Sequence, residues 1–212
     1  MSDGEPLAVR LDQVTAGWIE GKPALRSASL TIAARGVTGV VGPNGSGKST
    51  LVELISGYLR PWQGTVQVGG AAPDSGSVRS RRRICRTAPA LFGLMTVRDH
   101  LVLSARAPGG DLDVQVRRAE RLGLGPWLDE NAGTLSSGTA KKLWYLFCTA
   151  GDFELVVLDE PFNALDLGAV DVVVDEIVRW AEDRAVVVVA HQPPAGLPVE
   201  AVVDLETAGH RG

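Results

Sequence analysis

The sequence predicts an α/β fold: a mostly parallel sheet, an antiparallel β piece at the N-terminus and an inserted helical segment. Three observations carry this. Short, uniformly apolar runs at 37–41, 155–158 and 186–189 alternate with helical patterns, as strands buried on both faces of a parallel sheet do. Residues 7–14 and 25–32 alternate apolar with polar instead, the pattern of half-buried antiparallel strands. Between 96 and 150 the apolar spacing is mostly helical.

In chain order, the run 37–41 ends in a glycine-rich turn, and 49–58 then reads as a helix with Leu51, Val52, Leu54 and Ile55 inside. A strand is expected at 64–68, followed by turn-rich residues 69–76. Residues 79–86 carry five arginines, which either contact anionic lipid headgroups or an acidic partner, or form a solvated loop. Helices are expected at 97–106, 114–122 and 136–150, broken by Pro108, Gly109 and Gly110 and by the glycines of 123–126. The strand 155–158, a helix over 169–182, the strand 186–189 and a last strand over 199–205 complete the chain.

With 212 residues the chain fits one domain, or one domain with a subdomain inserted in it. The net charge of −4 argues against a nucleic-acid partner, which usually demands a basic excess. Cys85 and Cys148 stand far apart in sequence and outside any CxxC, so they read as reduced thiols rather than a zinc site or disulfide. The polar, acidic N-terminus has no apolar signal core. No run approaches the roughly 20 apolar residues of a membrane helix. The expectation is a soluble, cytoplasmic chain whose membrane part, if any, is another polypeptide.

Gly42, Pro43, Asn44, Gly45, Ser46, Gly47, Lys48 and Ser49, followed by Thr50, fit G-x-x-x-x-G-K-[ST] between an apolar strand and a helix. Glycines let backbone amides turn inward around phosphates, and the helix N-terminus adds to that attraction. Lys48 supplies a full charge to the β- and γ-phosphates, and Ser49 a hydroxyl for Mg²⁺.

A second cluster closes the strand 155–158. Asp159 and Glu160 stand at its carboxyl end, the edge where open parallel sheets bind ligands. Asp159 is the candidate Mg²⁺ ligand, directly or through water. Glu160 is the candidate base that orients and deprotonates an attacking water. His191 ends the run 186–190 and so falls on the same edge. His100 and His210 lack such context and read as surface or packing residues.

These motifs together resemble the nucleotide-binding subunits of ABC transporters over essentially the whole chain. The phosphate loop is followed by Leu158, Asp159, Glu160 and Pro161, and then by Asn163–Asp166, which is similar to the family's D-loop. Leu135, Ser136, Ser137, Gly138 and Thr139 are similar to its LSGGQ signature. His191 falls at the family's switch histidine, and Trp18 at the aromatic that stacks on adenine. Residues 158–166 and 191–194 also look faintly like the haem-exporter subunits of cytochrome c maturation.

The resemblance implies the ABC ATPase fold: a P-loop NTPase core over about 1–87 and 151–212, and a helical signature subdomain over about 88–150. It implies ATP and Mg²⁺ as cofactors, an integral membrane permease as partner, and a head-to-tail dimer with a second ATPase subunit. Each shared site would join the phosphate loop of one chain to the signature of the other, with Asp166 at the interface. Two departures stand out. Ser137 and Thr139 replace a glycine and a glutamine of the signature. Thr87 stands where the family carries a glutamine that meets Mg²⁺ at the entry to the helical segment. The competing readings are a non-transport ABC protein and a cassette of low intrinsic activity in a heterodimer.

Overall fold

The computed structural model describes residues 8–208; Leu7, His210 and the other residues beyond these bounds lie outside it. Two sheets form the frame. The strands β1 (Val9–Ala16), β2 (Leu25–Ile32) and β4 (Gln63–Val68) make an antiparallel sheet in the order β2-β1-β4. The strands β3 (Gly36–Val41), β5 (Arg82–Cys85), β6 (Leu155–Asp159), β7 (Ala185–Val189) and β8 (Ala201–Asp204) make a parallel sheet in the order β5-β6-β7-β3-β8. The antiparallel piece is thus not confined to the N-terminus, since β4 returns to it after the phosphate loop and its helix.

Strands β6 and β7 are buried at every position. Alternate residues point to opposite faces of a strand. Leu155 and Val157 with Val187 and Val189 join one core, shared with the antiparallel sheet and with helix α1 (Lys48–Ser56). Val156 and Leu158 with Val186 and Val188 join a second core under α3 (Val97–Ser104), α5 (Ser137–Cys148) and α6 (Leu167–Ala181). An apolar run without alternation is what two covered faces require.

Helix ends follow local chemistry. Gly57, in the left-handed region at φ 70°, stops α1 before the expected Tyr58. Thr96 and Asp99 form a capping box on α3, and Asp111 caps α4 (Leu112–Arg121), which starts two residues earlier than its apolar pattern. His100 is fully buried. Its Nδ1 lies 2.8 Å from the Thr96 carbonyl and its Nε2 accepts from the Phe92 amide, so it is a packing residue. No helix among the described residues is long and apolar enough to cross a membrane.

The arginine run is not a solvated loop, and four of its five arginines turn to partners within the chain. It folds into α2 (Gly76–Arg81) and β5, neither of which the sequence pattern reveals. Arg82 is buried and donates to the carbonyls of Ile55, Ser56 and Pro73, satisfying the end of α1. Burial, with the charges of Arg79 and Arg86 added, pushes its pKa down to about 10. Arg83 donates to Ala150 and Asp152 carbonyls, Arg81 pairs with Glu154, and Arg86 with Glu53. The end of β5 also brings Cys85 against Cys148; burial, then a hydrogen bond with Cys85, raise the Cys148 thiol well above its usual range. Both remain free thiols.

A buried ionic network joins three helices. Arg118 of α4 donates to both oxygens of Glu176 on α6 at 2.9 and 2.7 Å, and the Tyr145 hydroxyl of α5 donates to the same carboxylate at 2.8 Å. Removing one partner of such a pair strands a buried charge, at about 3–5 kcal/mol. Arg118→Leu is therefore expected to lower the urea unfolding free energy by about that amount. A loss under about 1 kcal/mol, the scale of a surface pair, contradicts this role.

Candidate functional site

The strand order β5-β6-β7-β3 sets four chain segments side by side at the carboxyl edge of the parallel sheet. Thr87 follows β5, Asp159 ends β6, His191 follows β7, and Gly42 follows β3. Residues spread over 150 positions of sequence thus meet because adjacent parallel strands end together.

The phosphate loop turns on glycines. Gly42, Gly45 and Gly47 have φ of 148°, 84° and 96°, which side-chain-bearing residues rarely adopt. At Gly47 a Cβ would also come within 2.6 Å of Leu25 and 3.0 Å of the Ala24 carbonyl. Gly47 caps α1, whose first residue is Lys48. The Lys48 ammonium donates back to the carbonyls of Gly42 and Pro43 at 2.7 and 2.9 Å, so the charge is held over the loop. Among the described residues, the Ser46 hydroxyl is a buried polar atom without a partner. A phosphate oxygen is the kind of group that satisfies it.

A cavity of about 350 Å³ lies beside this loop, walled among others by Trp18, Lys48, Ser49, Thr87, Asp159 and Glu160. Asp159 is 8% exposed and accepts a 2.6 Å hydrogen bond from the Thr87 hydroxyl. Glu160 sits in the left-handed region at φ 50°, with its amide donating to the Val189 carbonyl at 2.8 Å. Strained backbone of this kind costs on the order of 1–3 kcal/mol and clusters at working sites. Trp18 is 56% exposed at the cavity wall, with the Tyr58 ring 6.4 Å away. An exposed indole there offers a flat apolar face to the cavity. Tyr58, expected from the sequence at the end of the helix 49–58, lies just past the end of α1 and outside the cavity's walls.

Ser49, Thr87 and Asp159 offer hydroxyl and carboxylate oxygens, the donor type for Mg²⁺. No group of three or more His, Cys, Asp or Glu among the described residues forms a metal cage. Few protein oxygens plus the nucleotide's own phosphates is the way Mg²⁺ is usually held, so the residues present fit the ion.

The remaining candidates lie apart from this cavity. His191 is exposed in the turn after β7, at the same sheet edge but not among the cavity's walls. Ser136 caps α5, accepting from the Thr139 amide at 3.2 Å and lying 2.7 Å from its hydroxyl. Leu135 leads into that cap in extended conformation, and Ser137 opens the helix. Gly138 has a steric reason: a Cβ would meet the Ala164 carbonyl at 2.6 Å. Asp166 caps α6 through the Ala169 amide and pairs with Lys142 of α5. Lys142, then the Ala169 amide, hold the Asp166 carboxyl below its ordinary range.

A glycine loop at a helix N-terminus, facing two strand-end acids across one cavity, defines a nucleotide-binding domain built to act on a phosphate chain. The ABC transporter family model matches residues 25–163, well over half of the chain, and the chain belongs to that family of ATPase domains. It is similar to an ABC transporter ATP-binding protein of Pyrococcus furiosus, 34% identical over 183 residues, covering 81% of this chain and 69% of that one. It is also similar to a retinal-specific phospholipid-transporting ATPase of Bos taurus, 29% identical over 177 residues. There it covers 81% of this chain and spans only 8% of that protein's length. Among solved structures, an ABC transporter ATP-binding protein from Pyrococcus furiosus matches with TM-score 0.79 over 94% of this chain and 98% of that chain, at 23% identity. An ATP-bound bacterial Atm1-family ABC exporter matches with TM-score 0.84 over 96% of this chain and 38% of that chain, at 20% identity. These two likenesses are of fold.

Proposed function

We propose that the chain hydrolyses MgATP to power a membrane transporter, as one half of a head-to-tail dimer bound to a permease chain on the cytoplasmic face. One observation carries the reading. Lys48, Ser49, Asp159 and Glu160 share one cavity, while none of Leu135–Thr139 is among its walls in the described residues. A helix N-terminus capped by Ser136 is suited to a γ-phosphate but serves no such group in its own chain's cavity. A second copy completes the site.

Within it, the amides of 42–50 and Lys48 hold the phosphates, and Trp18 stacks on adenine. Ser49 and Asp159 hold Mg²⁺. Bound there, the ion would supply positive charge against the phosphate oxygens on which negative charge builds during transfer. Glu160 takes a proton from water as its oxygen bonds the γ-phosphorus and the bond to ADP breaks. His191 takes the switch position on the next strand end, and Asp166 faces the partner chain. The direction proposed is export, on the resemblance of 158–166 and 191–194 to haem-exporter subunits; identifying the membrane chain that co-purifies tests it.

The shared site is tested by mixing two inactive variants. Ser136→Ala and Lys48→Ala heterodimers contain one intact site and one doubly damaged one. Free exchange between twofold dimers should restore on the order of a quarter of the wild-type rate. No recovery from demonstrated heterodimers means that each chain builds its own complete site.

A further inference from the structure

The segment joining β5 to the helical region is clamped by the signature helix. Lys141 of α5 is 4% exposed, and its ammonium donates to the Thr87 carbonyl at 2.7 Å. One turn on, the Trp144 indole donates to the Arg86 carbonyl at 2.9 Å. Arg86 in turn clasps Glu53 of α1 through two hydrogen bonds of 2.6 and 2.7 Å. Residues 86 and 87 are therefore fixed by α5 and α1, and the Thr87 hydroxyl is fixed with them on Asp159 Oδ2 at 2.6 Å.

A buried lysine on an α-helix needs a reason, because desolvating an ammonium is costly. Packing does not supply one: the neighbouring inward positions Leu143 and Leu146 are apolar, and a methionine would fill the same space. Electrostatics does. Burial lowers the Lys141 pKa, and the charges of Cys85, Asp159 and Glu160 oppose that fall. A long donor is what reaches the Thr87 carbonyl from α5, and its charge opposes those of the strand-end carboxylates. The Thr87 hydroxyl then occupies one oxygen of Asp159, and the other would be the one to face a metal ion.

We infer that Lys141 is a positioning residue for the metal-dependent step, acting through Thr87 on the orientation of Asp159. The inference rests on the reading of Asp159 as the Mg²⁺-holding acid. Partners behind a metal ligand typically contribute 10–100-fold in metal affinity. The link joins the helix that carries Ser136 to the metal acid, with Lys141 about 7.5 Å of helix rise beyond that serine.

The test compares wild type with Lys141→Met, Lys141→Arg and Asp159→Asn. Binding of a fluorescent ATP analogue is titrated in EDTA and across a range of Mg²⁺, beside urea unfolding. Lys141→Met is expected to raise the half-saturating Mg²⁺ about 10-fold or more, with affinity in EDTA unchanged within twofold. Lys141→Arg, which keeps charge and donor but not shape, should shift it less than Lys141→Met does. Should Lys141→Met not fold, Lys141→Gln takes its place, with the same shift expected. A variant that moves only the urea midpoint, or weakens nucleotide binding equally with and without Mg²⁺, overturns the inference. If Asp159→Asn shifts the Mg²⁺ dependence and Lys141→Met does not, the role of Lys141 falls alone. If neither shifts it, the metal role of Asp159 falls first.

Discussion

Glu160→Gln should bind MgATP as wild type does and hydrolyse it roughly 100-fold or more slowly, because a positioned base contributes about 10²–10⁴. That range corresponds to about 2.7–5.5 kcal/mol of barrier. The amide matches the carboxylate in shape, so the left-handed backbone at residue 160 and its bond to the Val189 carbonyl are kept. What is lost is the proton acceptor at the cavity wall. Unhydrolysed nucleotide should then hold two chains together, and size-exclusion chromatography with MgATP should show the dimer. Full activity from a strictly monomeric variant contradicts both the base and the shared site.

Lys48→Ala should nearly abolish ATP binding. Its ammonium is the one full positive charge among the residues of the phosphate loop. Truncating one side of a close charge pair in a recognition site costs about 2–5 kcal/mol, a loss of roughly 30-fold or more in affinity. The net figure is moderated because the ammonium exchanges its bonds to Gly42 and Pro43 for bonds to phosphate. The loop itself should persist, since its shape is set by glycines and by the close packing of Gly47 on Leu25. Equilibrium binding by calorimetry checks this; affinity within a few-fold of wild type refutes the phosphate-loop assignment.

How much of this was legible in the sequence depends on whether a feature is dictated locally. Strands β6 and β7 are, since burial on both faces leaves an uninterrupted apolar run. The phosphate loop is, since left-handed backbone needs glycine at 42, 45 and 47. Strand β5 is not. Its residues are Arg82, Arg83, Ile84 and Cys85, a charged stretch by composition. It is a strand because β6 offers a free edge and because helix ends and turns supply carbonyls for its guanidinia. Without it, Thr87 is placed near Asp159 only by the family resemblance; the direct hydrogen bond follows from Cys85 pairing with Leu158.

The same limit applies to Lys141 and Lys142. Adjacent on one helix, they point to different partners: one is buried against Thr87 and the other pairs with Asp166. Helix phase is fixed by what packs around it, and here that is the β5–α3 connection. The sequence reads Asp166 as an interface residue ahead of a helix from 169; the structure starts that helix at Leu167, makes Asp166 its N-cap and adds the ion pair to Lys142.

A crystal structure of Glu160→Gln with MgATP tests the central claim most directly. The account predicts two chains head to tail, each γ-phosphate held between Lys48 of one chain and Ser136 of the other. A γ-phosphate contacted by residues of a single chain, with Ser136 of either copy elsewhere, would contradict it.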